Sequence, residues 1–395
     1  MKTHALSVLL LLTFGSIFHV NADPHVAPSP KDYFVNEDVE LSNGRVVPAG
    51  TRWYNIPDIE RLQRELAEGS FKGDIEWARL VSFGYNLMTH TYYTIGEGRK
   101  DGRPPLAKGN VMSCSNCHTR GGTVPYAWPF FRTVTYFGLR ENGDEGVMWG
   151  NLGYKRDTRT RARDCGLNCG GQVIIPEDSF EMDALVAWLT AVRDGIYEGE
   201  GILIPEFKTK KDASKIMGAR VPLIAGVLDM KADPDRGAKL YKWQCASCHE
   251  PDGSGLWGAP DGYHYPPLAG DNAFSNAGGP LMIPVGGSFI ARYMPFNSPN
   301  MSKQAALDIM AYLVTLPRSS RWWQDHYFEH NPCGRPAFLP LHIGVVPKGY
   351  PFSKEQTQFG PWREIAEWLA SDACKSINPQ TQPVLSKDFN VDKSH

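Results

Sequence analysis

The chain has 395 residues, of which 42% are hydrophobic and 21% charged, and its formal net charge is −2. A chain of this length is expected to fold into about two or three domains. The near-neutral charge and the lack of a long basic run argue against binding to nucleic acid.

The start of the chain has the pattern of a secretory signal peptide, predicted at 1–22. Lys2 supplies the positive charge, residues 5–20 form the apolar segment, and small residues precede a cleavage site near Ala22. An uncleaved membrane anchor is the alternative, but the apolar run is shorter than the ~20 residues of a membrane span. We therefore predict a periplasmic mature chain that begins near Asp23 and has no membrane span after signal removal.

Helical periodicity and capping residues predict a series of helices. In chain order they cover Pro57–Leu66, Ile75 to about Tyr93, Phe180–Val192, a segment that opens at Asp233-Pro234, and Ser302–Leu316. Asp178 is the predicted N-cap of the third, with Glu181 as its capping-box partner and Gly195 at its end. The interval between His118 and Asp178 is predicted to be rich in loops.

Two short motifs stand out, Cys114-Ser115-Asn116-Cys117-His118 and Cys245-Ala246-Ser247-Cys248-His249. In a C-x-x-C-H motif the two cysteines attach one haem c and the histidine binds its iron. Zinc or disulfide motifs are the alternative, because Cys and His also suit zinc. The repetition of the motif behind an export signal favours two covalently bound haem c groups.

The second axial ligand of the C-terminal haem is expected among the methionines after His249, which are Met282, Met294 and Met301. Met294 is preferred because it precedes Pro295 and leaves a loop that can wrap around one edge of a haem. A methionine that only fills the core is the alternative. His/Met ligation raises the reduction potential, which suits the haem from which electrons leave.

The N-terminal haem differs, because no histidine occurs between Thr119 and Cys248. The candidates for its second ligand are a lysine, Met148, Cys165, Cys169 and Met182. Cys165 is preferred, since it follows His118 at nearly the spacing at which Met294 follows His249. Its thiolate would stabilise ferric iron and would act as a nucleophile towards sulfur. A Cys165–Cys169 disulfide, with Met148 or Met182 on the iron, is the alternative.

Basic residues cluster just before Cys165, at Lys155, Arg156, Arg159, Arg161 and Arg163. Such a run is commonly a solvated face of the protein. Beside a haem, however, guanidinium groups can bind a multi-oxygen anion through forked hydrogen bonds.

The order helix, C-x-x-C-H, loop, ligand methionine and helix is typical of a class I cytochrome c domain, and the first half has the same order with longer loops. We therefore predict an all-α fold of two fused class I cytochrome c-like domains with long loops, at 23–220 and 221–318. Residues 319–395 are predicted to form a loop-rich C-terminal extension, in which Cys333 and Cys374 can form a disulfide.

Further short segments add to the two C-x-x-C-H motifs. They are Phe83-Gly84-Tyr85, Asn110-Val111-Met112-Ser113, Gly121-Gly122-Thr123, Arg161 four residues before Cys165, Asp178-Ser179-Phe180-Glu181-Met182, Pro266-Pro267-Leu268, Ala273-Phe274-Ser275-Asn276-Ala277-Gly278, Met294-Pro295 and Phe359-Gly360-Pro361-Trp362. From about Trp77 to Trp362 the chain thereby resembles the di-haem thiosulfate dehydrogenases, which are related to the Sox-type sulfur-oxidation cytochromes.

This resemblance implies an enzyme that couples two thiosulfates into tetrathionate and passes the electrons to a soluble acceptor such as a small cytochrome c. It implies the iron ligands His118 and Cys165 for the first haem and His249 and Met294 for the second. Arg161 matches the substrate-side arginine of the family, and Arg156 is a further candidate for binding the sulfur oxyanion.

The chain departs from the family pattern at two positions. The family usually has Ser four residues after the ligand Cys, where this chain has Cys169, and this bears on the identity of the substrate. A polar residue often precedes the ligand Met, where this chain has Tyr293. An electron carrier without its own substrate and a di-haem peroxidase, with His90 or His264 on the iron, are the alternative functions.

Overall fold

The computed structural model describes residues 34–35, 37–108, 112–139, 147–148, 155–169, 173–201, 212, 216, 221, 223–258, 262–276, 278–296, 298–319 and 350–377. The predicted signal peptide at 1–22 lies outside these residues. No helix within the described segments combines the length and the apolar character needed to cross a bilayer.

The described residues are mostly helical. The helices are α1 (Ile59–Glu68), α2 (Ile75–Thr89), α3 (Thr91–Thr94), α4 (Thr133–Phe137), α5 (Thr158–Asn168), α6 (Phe180–Asp194), α7 (Pro234–Gln244), α8 (Ala246–His249), α9 (Ile283–Tyr293), α10 (Lys303–Thr315), α11 (Lys354–Phe359), α12 (Arg363–Ala370) and α13 (Asp372–Ile377), with 3₁₀ turns at Cys114–Asn116, Val227–Asp229 and Gly279–Leu281 and a further helical turn at Thr119–Gly122.

Short β-ribbons accompany these helices. Strands β1 (Val39–Glu40), β2 (Val46–Val47), β3 (Val147–Met148), β4 (Lys155–Arg156), β5 (Leu256–Gly258) and β6 (Gly262–Tyr265) pair in sequence as antiparallel hairpins. The described residues are therefore mostly helical, with short strands between the helices.

The predicted helices are confirmed, apart from some of their ends. Asp233 and Ser302 cap α7 and α10 as predicted, because each side chain accepts the backbone N–H three residues further on. Helix α2 stops at Thr89, earlier than predicted. The backbone of His90 is not helical (φ −130°, ψ 47°), and α3 begins after this break.

The start of α6 differs from the prediction. Its N-cap is Ser179 rather than Asp178, since the Ser179 hydroxyl accepts the N–H of the third helical residue at 3.2 Å. Glu181 is not a capping-box partner, because its buried carboxylate forms ion pairs with Arg99 and Arg103. These pairs hold the loop that precedes the first C-x-x-C-H motif against α6.

The sequence predicts loops where the structure has α5 and α9. Helix α5 is rich in arginine and has no apolar stripe, and α9 contains Pro284, Gly286 and Gly287, which are poor helix formers. Both helices carry candidate site residues.

A first core of buried residues lies between Val35 and Ile216, and its centre is the crossing of α2 and α6. At the crossing, a Cβ on Gly84 would lie only 1.9 Å from the carbonyl oxygen of Ala184. Trp188, one turn along α6, is fully buried there, and burial of such a side chain stabilises the fold by roughly 2–3 kcal/mol. Glycine at position 84 therefore sets how closely the two helices approach.

A second core, between Ile224 and Cys374, has the same plan. Helix α7 crosses α10 at Gly237, where a Cβ would lie only 1.8 Å from the carbonyl oxygen of Asp308. Asp308 is buried and is paired with Arg236, which precedes that glycine. Each C-x-x-C-H motif thus follows a helix that is held in place through a glycine.

The predicted loop-rich extension contains α11, α12 and α13 in its described part. Trp362, Ile365 and Leu369 are buried in the second core, so this segment adds to that core. Cys374 is disulfide-bonded, and Cys333, its predicted partner, lies outside the described residues. The predicted domain boundaries stay predictions.

Aromatic side chains join the two halves. The ring of Trp128 packs on Phe289 of α9, with ring centroids 4.5 Å apart. The Tyr293 hydroxyl at the end of α9 donates a hydrogen bond to the carbonyl oxygen of Pro125. The loop that follows the first motif is therefore in direct contact with the helix that precedes Met294.

Candidate haem and substrate site

His118 is held in one orientation. Its Nδ1 lies 2.6 Å from the carbonyl oxygen of Trp128, and its ring stacks on Phe130 at 4.2 Å. Because a carbonyl only accepts hydrogen bonds, Nδ1 must carry the proton, and Nε2 is left with its lone pair for a metal. The neighbouring turn at Gly121 is fixed by Trp188, whose Nε1 donates to the Gly121 carbonyl at 2.8 Å.

His249 is oriented in the same way by the second motif's own loop. Its Nδ1 lies 2.8 Å from the carbonyl oxygen of Pro266. Burial lowers the pKa of His249, which favours the neutral imidazole that binds metals. Arg318 holds this loop by donating to the carbonyl oxygens of Leu268, at 3.2 Å, and Leu313, at 2.6 Å.

The motif cysteines Cys114, Cys117, Cys245 and Cys248 are free, half-buried thiols. Two thiols beside a histidine with a free Nε2 are the donor set that haem c requires. Within the described segments, no group of three or more His, Cys, Asp or Glu side chains converges on a point. The two thiols and the adjacent histidine of each motif fit the attachment of haem c.

Cys165 lies on α5, in contact with the His118 imidazole. The helix begins at this place in the sequence because the Asp157 carboxylate caps it and accepts the Thr160 N–H at 2.7 Å. A hydrogen bond with Cys169, opposed by burial and aided by the charge of Arg161, holds the pKa of Cys165 well below its usual range. Cys165 is therefore held as a thiolate in hydrogen-bonding contact with the His118 side chain.

Cys169 is the C-cap of α5, one turn beyond Cys165, and both are free thiols. The Cys165–Cys169 disulfide considered as an alternative is therefore not formed. The hydrogen bond with Cys165, together with burial, raises the pKa of Cys169 well above its usual range. The Gly279 N–H donates to the Cys169 sulfur, and the Ser275 N–H donates to the Cys169 carbonyl at 3.2 Å.

Arg161 lies one turn before Cys165, on the same face of α5. Burial alone would lower the pKa of Arg161, but the neighbouring sulfurs of Cys165 and Cys169 outweigh it and raise the pKa above its usual value. Arg161 also forms a side-chain hydrogen bond with Cys165. This is the geometry of a cationic site directly beside a thiolate.

The other basic residues of the cluster are placed differently. Arg159 pairs with Asp183 at 2.6 Å, and Arg163 pairs with Asp164 and Glu177. These two arginines therefore fix α5 against its neighbours. Arg156 lies on β4, and the position of its side chain is outside what the structure describes.

The remaining ligand candidates lie as follows. Met294 ends α9 and packs, half-buried, against the second core. Met182 and Met301 are fully buried core residues. Met148 lies on β3, and its side chain is outside the described part.

The histidines considered for a peroxidase are both exposed. His90 Nδ1 lies 2.9 Å from Thr89 Oγ1, and the His264 ring packs on Tyr265 at 4.5 Å. Cys165, rather than either of these, is the side chain that meets the His118 ring.

Comparisons with known proteins identify chains that are similar to this one. The cytochrome c family model matches residues 234–317. The thiosulfate dehydrogenase of Psychrobacter arcticus is 25% identical over 248 residues, which is 62% of this chain and 65% of that protein. The thiosulfate dehydrogenase of Allochromatium vinosum is 26% identical over 218 residues, which is 53% of this chain and 71% of that protein.

A solved structure shares the fold. It is that of thiosulfate dehydrogenase (TsdBA) from Marichromatium purpuratum in its as-isolated form, with a TM-score of 0.51 and 20% identity, covering 71% of this chain and 56% of that chain. The chain is therefore similar to thiosulfate dehydrogenases and contains a cytochrome c domain. The cytochrome c domain implies covalently bound haem c. The family resemblance found in the sequence is thereby confirmed.

Several residues that contact the site were not predicted from the sequence. Trp128 and Phe130 orient His118, and Gly279 contacts Cys169, across long stretches of sequence. The start of α5 did carry a local signal, since Asp157 followed by Thr158 is a helix N-terminus pattern.

Proposed function

We propose that this cytochrome oxidises thiosulfate to tetrathionate and can also catalyse the reverse reaction. The observation that carries the proposal is the contact of Cys165 with both His118 and Arg161, which puts a nucleophilic sulfur beside a candidate haem ligand and a cation beside that sulfur. The similar proteins from Psychrobacter arcticus and Allochromatium vinosum are both thiosulfate dehydrogenases, which supports thiosulfate as the substrate.

Each of these side chains has a role that follows from its surroundings. Arg161 binds a sulfonate group of the substrate by charge-assisted hydrogen bonds. Arg156 is a second residue that binds the substrate in the same way. Cys165 is the second ligand of the first iron and takes part in formation of the central S–S bond. The low pKa of Cys165 keeps it a thiolate, the form that reacts with sulfur. When bound, haem c supplies a one-electron acceptor beside this thiolate.

The proposal extends to the rest of the chain. The first haem is attached to Cys114 and Cys117, and a second haem is attached to Cys245 and Cys248. His249 and Met294 are the ligands of this second haem. The first haem lies in a cytochrome c-like domain at 23–220 and the second in one at 221–318. A His/Met pair raises the reduction potential and favours release of electrons to a soluble cytochrome c. The predicted signal peptide supports a periplasmic location, where haem c is attached.

The proposal is tested with purified holoprotein, thiosulfate and ferricyanide. We expect bleaching of ferricyanide with one tetrathionate formed for every two ferricyanides reduced, measured by ion chromatography. Unchanged ferricyanide and no tetrathionate would refute the proposal. Peroxide with reduced cytochrome c is the matched control, and turnover there would favour the peroxidase alternative.

A further inference from the structure

Two free thiols lie side by side at the candidate substrate site. Cys165 and Cys169 are four residues apart on α5, so they share a face of the helix with Cβ atoms about 5–6 Å apart. Their side chains are in hydrogen-bonding contact. Arg161, one turn earlier on the same face, lies next to both sulfurs.

The position of Cys169 allows the two sulfurs to bond. A disulfide requires Cα atoms about 4.4–6.8 Å apart and Cβ atoms about 3.5–4.5 Å apart. Residues one helical turn apart meet the first condition, and a small movement meets the second. Cys169 is the C-cap, where the last helical hydrogen bond, from its N–H to the Cys165 carbonyl at 2.8 Å, ends the helix.

Contacts from the second half keep the Cys169 sulfur at this place. Gly279 N–H donates to the sulfur, and Ser275 N–H donates to the Cys169 carbonyl. The sulfur is thereby directed towards Cys165 rather than into solvent. A serine at this position could donate the same hydrogen bond to Cys165 but could not form a covalent bond to sulfur.

We propose that Cys169 is a second catalytic thiol, which resolves a covalent sulfur adduct on Cys165 and lets the pair exchange two electrons with tetrathionate. This inference rests on the proposed function, because it requires that a sulfur oxyanion reacts at Cys165.

The chemistry balances in two steps. The Cys165 thiolate attacks a central sulfur of tetrathionate, the central S–S bond breaks, and one thiosulfate leaves while Cys165 holds the other half as a thiosulfonate. The Cys169 sulfur then attacks the Cys165 sulfur, its proton passes to solvent, and a second thiosulfate leaves as the disulfide forms. Two thiols are oxidised, and tetrathionate gains two electrons. Each new cycle needs two electrons from a one-electron donor such as reduced cytochrome c.

A single-turnover experiment on holoprotein tests this. Protein with ferric haems, whose thiols have been reduced with a phosphine, is freed of reductant under anaerobic conditions, mixed with equimolar tetrathionate and quenched with iodoacetamide. Released thiosulfate is measured by ion chromatography, and the peptide that contains both cysteines is measured by mass spectrometry without reduction. We expect two thiosulfates per protein and a Cys165–Cys169 disulfide.

Cys169→Ser is the matched variant, and an unchanged haem spectrum and melting temperature show that it is folded. We expect it to release one thiosulfate and to keep the thiosulfonate on Cys165. An adduct that persists equally in wild type and variant would overturn the inference. Unreacted thiols in a wild type that still reduces ferricyanide with thiosulfate would also overturn it and leave the proposed function intact. If the thiols do not react with tetrathionate and thiosulfate does not reduce ferricyanide, both this inference and the proposed function would be overturned.

Discussion

In the first half of the molecule α2 crosses α6 at Gly84, and in the second half α7 crosses α10 at Gly237. In both halves a backbone carbonyl accepts the Nδ1 proton of the motif histidine, at 2.6 Å for His118 and 2.8 Å for His249. The frame around each candidate haem site is therefore built by the same contacts.

The halves differ in the element that supplies the distal side chain. In the first half this is α5, which brings a thiol pair and Arg161 to His118. In the second half the proposed distal side chain is Met294, which follows α9 and packs against an apolar core. We infer that the helix crossing and the histidine–carbonyl hydrogen bond set the position of each haem. The side chains supplied on the distal side then decide whether the site catalyses a reaction or only transfers electrons.

Cys165→Met tests this contrast most strongly, because it gives the first site the donor pair predicted for the second. We expect thiosulfate oxidation to fall below detection, since the nucleophile is lost, while both haems are retained. Low-temperature magnetic spectra are expected to show two His/Met haems. Wild-type turnover in this variant would exclude Cys165 from the chemistry, and an unaltered spectrum would exclude it from the iron.

Arg161→Ala is expected to reduce kcat/KM for thiosulfate by about 10²–10³-fold, the usual effect of removing a fixed donor to a developing or bound oxyanion. Arg161→Lys keeps the positive charge but loses the forked hydrogen bonding of the guanidinium group. Its kcat/KM for thiosulfate is expected to lie between those of the wild type and of Arg161→Ala. Arg163→Ala is the matched control, because that side chain pairs with Asp164 and Glu177. An equal loss in Arg163→Ala would show that the effect arises from α5 as a whole.

Gly84→Ala and Gly237→Ala test whether the two crossings are equivalent. The added Cβ would meet a carbonyl oxygen at 1.9 Å and 1.8 Å, so each variant is expected to lower the free energy of unfolding by about 3 kcal/mol. Urea unfolding measures both. Gly279→Ala is the control, since its nearest neighbours are 3.7 Å and 4.0 Å away. If only one of the two variants lowers the free energy of unfolding, the two helix crossings are not equivalent.

Phe289→Leu is expected to have the smallest effect. It removes a ring contact with Trp128 worth roughly 1 kcal/mol and loosens the carbonyl that accepts the His118 proton. A weaker hydrogen bond makes the imidazole a poorer donor, so the first haem's potential should rise while the second stays constant in a spectroelectrochemical titration. Phe296→Leu, at an exposed position, is the control and should change neither potential.

The sequence alone determined the features that depend on local chemistry. The two C-x-x-C-H motifs, the caps at Asp233 and Ser302 and the preference for Cys165 each follow from a residue type at a given spacing. Such signals can be read because the partners are neighbours in the chain.

Only the tertiary structure decided which members of the basic cluster face the sulfurs. Arg159 and Arg163 find acidic partners on or just before α6, at Asp183 and Glu177, and Arg161 is left beside Cys165. The sequence pattern is the same for all three arginines, because their environments come from residues that are distant in the chain. Helix α5 itself has no apolar stripe, so its conformation became evident only with its cap and its packing in place.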